Sequence, residues 1–121
     1  MAKEVKIPVR GEIYLVGFDP AFGSEINKTR PALIVQNNIS NKYSPTTIVV
    51  AITSVTSGRD YSTNVFLKKS ESGLEKDSVV LLNQIKTIDK QRLIKKVGII
   101  DKVLMADVDR ALEISLGLVD V

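Results

Sequence analysis

The chain has 121 residues, 44% of them hydrophobic and 26% charged, with a net charge of +3 and neither histidine nor cysteine. That length suits one domain with a modest core, and the missing thiols and imidazoles exclude disulfides, a cysteine nucleophile, histidine acid–base catalysis and any zinc site beyond weak carboxylate options. Met1 to Arg10 holds no apolar segment of signal-peptide length, and the longest apolar run, Ile48 to Ile52, falls far short of a bilayer span, so a cytoplasmic protein without membrane association is expected.

Residues 1–9 read as a flexible N-terminal extension of a single domain covering 1–121. The first strand is expected at Ile13 to Val16. The connection that follows, Gly17 to Thr29, is long for a compact domain, and such loops are usually functional. It carries Phe22 beside Gly23-Ser24-Glu25, and single-stranded nucleic acids are gripped by stacking bases on aromatic rings; the plain alternative is that Phe22 folds back as a cap on the core. The loop ends at Asn27-Lys28-Thr29-Arg30-Pro31 and opens directly into the apolar run Ala32 to Val35. Proline holds the residue before it extended, so Arg30 is pinned at a strand entrance with its side chain able to reach outward. A phosphate-handling arginine would sit there.

Ile48 to Ile52 forms the next strand and closes on Thr53-Ser54, followed by Thr63 to Leu67 with edge-like alternation, then Val79 to Leu82 and Val97 to Ile100. Run lengths and β-branched content favour strands over helices. The spacers Ser57-Gly58-Arg59-Asp60 and Ser70-Glu71-Ser72-Gly73 carry turn chemistry, which predicts antiparallel pairs, irregular rather than helical connections, and a small curled sheet or barrel. Between Lys86 and Lys96, five cations (Lys86, Lys90, Arg92, Lys95, Lys96) face only Asp89. Such an excess attracts polyanions, nucleic acid or an acidic protein segment, although many charge runs are no more than a solvated strand face.

One helix is predicted at the C-terminal end. Asp101 is its N-cap, Leu104, Val108, Ala111, Leu112 and Ser115 form its apolar stripe, and Gly117 is its stop. Asp107 and Asp109 diverge by about 200° on such a helix, which argues against a metal pair. The class is therefore α+β, mainly β.

Several segments together resemble the MazF/PemK family of bacterial toxins. They are Arg10-Gly11-Glu12-Ile13-Tyr14, Gly23-Ser24-Glu25, Thr29-Arg30-Pro31, Asn41-Lys42-Tyr43-Ser44-Pro45-Thr46, Ala51-Ile52-Thr53, Asp77-Ser78-Val79, Gln84 to Leu93 and Ala111 to Leu116, in order and spacing from Arg10 to Leu118. The resemblance implies an SH3-like, CcdB/PemK-type barrel with a C-terminal helix. It also implies the toxin of a type II toxin–antitoxin pair, a homodimer that needs no cofactor or metal and cleaves single-stranded messenger RNA at short motifs until an acidic antitoxin neutralises it. The family's catalytic arginine and threonine fall on Arg30 and Thr53, and its RNA-contacting positions on Phe22, Ser24, Glu25, Tyr61, Asn83, Gln84 and Lys86.

Metal-free cleavage can use the RNA's own 2′-hydroxyl as nucleophile, which requires a base, an acid for the leaving 5′-oxygen and donors for the charged phosphorane. Arg30 can clamp two phosphate oxygens with its planar fork, and Thr53 can donate its hydroxyl. A guanidinium with a pKa above about 12 releases a proton only at a cost, so Glu25 stands as the alternative base. In a purely structural role, Arg30 would instead pair with Glu25 or Asp19 to fix the loop.

Asn83 stands where the family usually carries Glu, Asn27-Lys28 replaces common glycines, and Ser62 replaces a frequent proline. An amide both donates and accepts where a carboxylate only accepts, so Asn83 bears on base preference. Two other functions compete: an SH3-like module that binds RNA without cutting it, and a CcdB-like topoisomerase poison.

Overall fold

The computed structural model describes residues 6–18, 28–54 and 61–120. In chain order the elements are β1 (Glu12–Phe18), β2 (Lys28–Ile34), α1 (Asn38–Tyr43), β3 (Thr46–Ser54), β4 (Asn64–Leu67), α2 (Lys69–Ser72), β5 (Ser78–Asp89), a 3-10 turn over Lys90–Arg92, β6 (Leu93–Ile99) and α3 (Lys102–Ser115). The strands form one antiparallel six-stranded sheet in the order β4-β5-β3-β2-β1-β6. Every strand expected from the sequence is present, and the mainly β class with a C-terminal helix holds.

The apolar runs lack polar alternation because both faces of the sheet are covered. On one face Ile13, Leu33, Val50, Ile52, Val65, Leu67, Val80 and Leu82 pack beneath Val108 and Ala111 of α3. On the other, Tyr14, Val16, Ala32, Ile34, Val49, Ile88 and Leu93 form a second cluster inside the curl of the sheet, with Phe18 packed against it. Consecutive residues of a strand serve opposite cores.

The curl has a local cause in β5. Val50 lies opposite Ile85 but Ala51 lies opposite Leu81, so β5 spends Leu82, Asn83 and Gln84 while β3 advances one residue. Extra residues on one strand bend it and increase its twist. Residues 78–82 thus serve the α3 side of the sheet, and residues 85–89 swing round to the second core.

The ladder does not close on itself among the described residues; β4 and β6 are its end strands. Contact between backbones brings the two edges together instead. A Cβ placed on Gly98 of β6 would stand 1.8 Å from the Ser72 carbonyl oxygen at the end of α2, and Gly73, at φ +81°, would meet Val97 O at 2.6 Å. Only glycine permits either approach.

Two short helices occupy connections expected to be irregular. Asn37 caps α1 by accepting from Ser40 N at 2.8 Å. Asn41, fully buried, accepts from Gln36 Nε2 at 3.0 Å and Thr47 Oγ1 at 2.7 Å and donates to Gln36 O at 2.9 Å, while Lys90, itself buried, donates through Nζ to Asn41 O. Six residues are too few to be stable as an isolated helix, so this buried network, not propensity, fixes α1. α3 follows expectation: Asp101 accepts from Leu104 N at 2.8 Å, and Gly117, at φ +74°, ends it with Leu118 N donating to Glu113 O at 2.8 Å. Asp109 pairs with Arg10, whose Nε also donates to Val35 O at 2.8 Å, so α3 is fastened to the turn before β1.

Candidate functional site: a cleft at the entrance of the second strand

Arg30 sits on β2 opposite Val16 of β1, exposed, with Pro31 next to it. Pro31 holds this arginine extended, as expected, but Arg30 is the third residue of β2 and not at its entrance, because pairing with β1 already begins at Lys28. Thr53 lies on β3, exposed, opposite Val79 of β5. The β2–β3 register pairs Ala32 with Ala51. Continued by two positions, it sets Arg30 directly across from Thr53, on the same face of the sheet. Two side chains separated by twenty-three positions in the chain are thereby brought to neighbouring strands.

Both residues line one open cleft of about 880 Å³. Its floor is apolar, from Leu15, Pro31, Ile52, Leu74 and Val97, which belong to the α3 side of the sheet, and its rim carries Arg30, Lys76, Lys95 and Lys96 against Glu75. The Gly73–Lys76 wall stands where it does because of the glycine seam with β6. A cationic rim over a partly apolar floor suits a polyanion whose bases or side chains offer apolar surface. Glu25 and Asp19, the partners that a loop-fixing role would give Arg30, lie outside the described residues.

The other expected positions divide. Asn83 and Gln84 are exposed in the β5 bulge, beside the β3 segment that leads to Thr53. Lys86 is exposed opposite Val49, with its Nζ 5.3 Å from the centroid of the Phe18 ring. Tyr61 is exposed just ahead of β4, where its carbonyl accepts from Asn64 N at 2.9 Å. Phe22, Ser24 and Glu25 lie outside the described residues.

The basic run of 86–96 is not one patch. Lys90 is buried on Asn41 O, Lys96 pairs with the nearly buried Glu12 at 3.0 Å, and Arg92 donates to Gly17 O at 3.3 Å. Strand alternation and the 3-10 turn disperse charges that are adjacent in sequence. Burial, and secondarily the Glu12 carboxylate, push the Tyr14 phenol above the usual tyrosine value. Among the described residues no group of three or more Asp, Glu, His or Cys is placed to hold a metal.

Sequence reasoning missed Phe18, which ends β1 on the face carrying Arg30, and the Gly73–Lys76 wall of the cleft. The first was visible as an aromatic at the edge of the long loop. The second depends on a contact between distant backbones that no local pattern records.

A curled antiparallel sheet with a cationic cleft and an arginine–threonine pair on adjacent strands has the shape and charge to receive a polyanion. Comparison with known proteins narrows the class: residues 9–116 match the model of the PemK-like, MazF-like toxins of type II toxin–antitoxin systems, and the chain belongs to that family. It is 47% identical over 111 residues to Endoribonuclease EndoA of Bacillus subtilis (strain 168), covering 92% of this chain and 96% of that one. It is 48% identical over 109 residues to Endoribonuclease MazF of Staphylococcus epidermidis, covering 90% and 91%. Among solved structures, an endoribonuclease in complex with its cognate antitoxin from Mycobacterial species superposes with a TM-score of 0.76 at 27% identity, over 94% of this chain and 99% of that one.

Proposed function

We propose that this protein is the toxin of a type II toxin–antitoxin pair, an endoribonuclease that cuts single-stranded RNA through attack of the substrate's own 2′-hydroxyl. The endoribonuclease class rests on family membership and on relatives of that name matching nearly the whole chain. The observation that carries the site is the Arg30–Thr53 juxtaposition on the rim of the cleft.

In the step proposed, the 2′-oxygen loses its proton and bonds to phosphorus, the P–O5′ bond breaks, and the departing 5′-oxygen takes up a proton, leaving a 2′,3′-cyclic phosphate and a 5′-hydroxyl. Arg30, always cationic, holds two non-bridging oxygens and neutralises the charge that develops on the phosphorane. Thr53 donates its hydroxyl to the same group. Glu25 is the alternative base where the guanidinium itself does not move the proton, and Phe22, Ser24, Tyr61, Asn83, Gln84 and Lys86 follow the strand and select its bases. No step in this scheme calls on a metal ion.

The protein acts in the cytoplasm as a homodimer and is held in check by an acidic antitoxin segment drawn to the cationic rim. Among the described residues no helix is long and apolar enough to cross a membrane. Incubation of the purified chain with a single-stranded RNA in EDTA tests the reading. Discrete cuts are expected, and Arg30→Ala should slow them by roughly a hundredfold or more with the fold retained. An RNA that is shifted in a gel but stays intact would favour a binding module, and blocked supercoiling by a topoisomerase would favour the poison. An Arg30→Ala variant cutting at the parent rate would remove the site assignment.

A further inference from the structure

We propose that Phe18 is a positioning residue for Lys86, whose ammonium it holds in place for a phosphate next to the one at Arg30. The proposal rests on the nuclease reading of the Arg30 face and extends it to a residue which that reading does not use.

Phe18 is the last residue of β1, opposite Lys28, and Val16 is opposite Arg30. Strand alternation puts Val16 and Phe18 on one face, so the ring lies one step along the sheet from the guanidinium. Phe18 is partly buried against the second core, which fixes its plane. Lys86 arrives from β5, far away in sequence, because the bulge swings residues 85–89 across the curl; its Nζ stands 5.3 Å from the ring centroid. The end of β1 is fastened to the same β5–β6 connection by Arg92, which donates to Gly17 O at 3.3 Å.

An exposed lysine loses much rotamer freedom when it grips a phosphate. A ring face that attracts its ammonium beforehand reduces that loss, and the gain appears as tighter binding rather than faster chemistry. The ligand is a phosphodiester group of single-stranded RNA flanking the linkage at Arg30. Lys86 would bind it, and Phe18 would act only through Lys86.

The test is steady-state cleavage of an RNA by the full chain and by Phe18→Leu, Phe18→Tyr, Lys86→Ala and the Phe18→Leu/Lys86→Ala double variant, over a series of salt concentrations. Phe18→Leu is expected to raise KM roughly three- to tenfold with kcat unchanged, and Phe18→Tyr, which keeps the aromatic face, to restore it. Lys86→Ala should raise KM and flatten the dependence of log KM on log salt by about 0.7, the loss of one phosphate contact. Added to Lys86→Ala, Phe18→Leu should change nothing further. An unaltered salt slope in Lys86→Ala, or the same KM penalty from Phe18→Leu with and without Lys86, would overturn the proposal while cleavage by the parent left the nuclease reading intact. Failure of the parent itself to cut would overturn both.

Discussion

Arg30 illustrates how little a side chain needs in order to be placed. Its own φ and ψ are constrained by Pro31, its strand pairs with β1, and the register toward β3 brings it across from Thr53. Thr53 contributes one hydroxyl. Thr53→Val keeps the β-branched shape and removes only the donor, so cutting is expected to slow about a hundredfold with an unchanged melting transition; single-turnover kinetics would show this, and an undiminished rate would return Thr53 to a merely structural role. Tyr14 has a separate signature. Its phenol is raised above its unfolded value of 10.0, so its contribution to stability is fully present below about pH 10 and is lost as pH rises through the higher folded value. Urea midpoints followed from about pH 8 to about pH 11 should therefore fall less steeply for Tyr14→Phe than for the parent. Equal slopes would contradict the burial assigned to this ring.

Strands and the terminal helix were legible in the sequence, and the reasons are physical. Ile13, Leu33, Val50 and Val80 mark strands because β-branched and large apolar residues recur in short runs between turn residues, and Asp101 with Gly117 brackets α3 by chemistry that acts within a few residues. α1 was not legible because its stability comes from Asn41, Gln36, Thr47 and Lys90 meeting in a buried network. Lys90 shows the same limit: it reads as one member of a basic run, yet the 3-10 turn directs it inward. The seam between α2 and β6 was equally hidden. Gly98→Ala would push a Cβ to 1.8 Å from the Ser72 carbonyl, a backbone atom unable to turn aside, and is expected to cost about 3 kcal/mol or more in urea unfolding. A variant as stable as the parent would show that the two sheet edges are not held by this contact. Of the candidate site, Arg30 was marked by its place before Pro31 and Thr53 by its place at the end of an apolar run, and Asn83, Gln84 and Lys86 by the family resemblance, whereas the approach of Lys86 to Phe18 emerged only once the curl brought β5 over the end of β1.

Taken as a molecule, the chain uses one sheet for two cores and leaves a cationic cleft at the end of the curl. The helix side carries stability through Val108 and Ala111, and the opposite face carries Arg30, Thr53, Lys86 and Phe18. This division explains how 121 residues without histidine or cysteine accommodate both a core and a reactive surface. In the reaction proposed, chemistry falls to a permanent cation and a hydroxyl, and the RNA supplies its own nucleophile. An RNA carrying a single 2′-deoxy nucleotide on the 5′ side of a mapped cut tests that most directly. Cutting should vanish at that linkage and continue at unmodified sites of the same strand; cleavage at the deoxy position at the parent rate would contradict attack by the 2′-hydroxyl and with it the role given to Arg30.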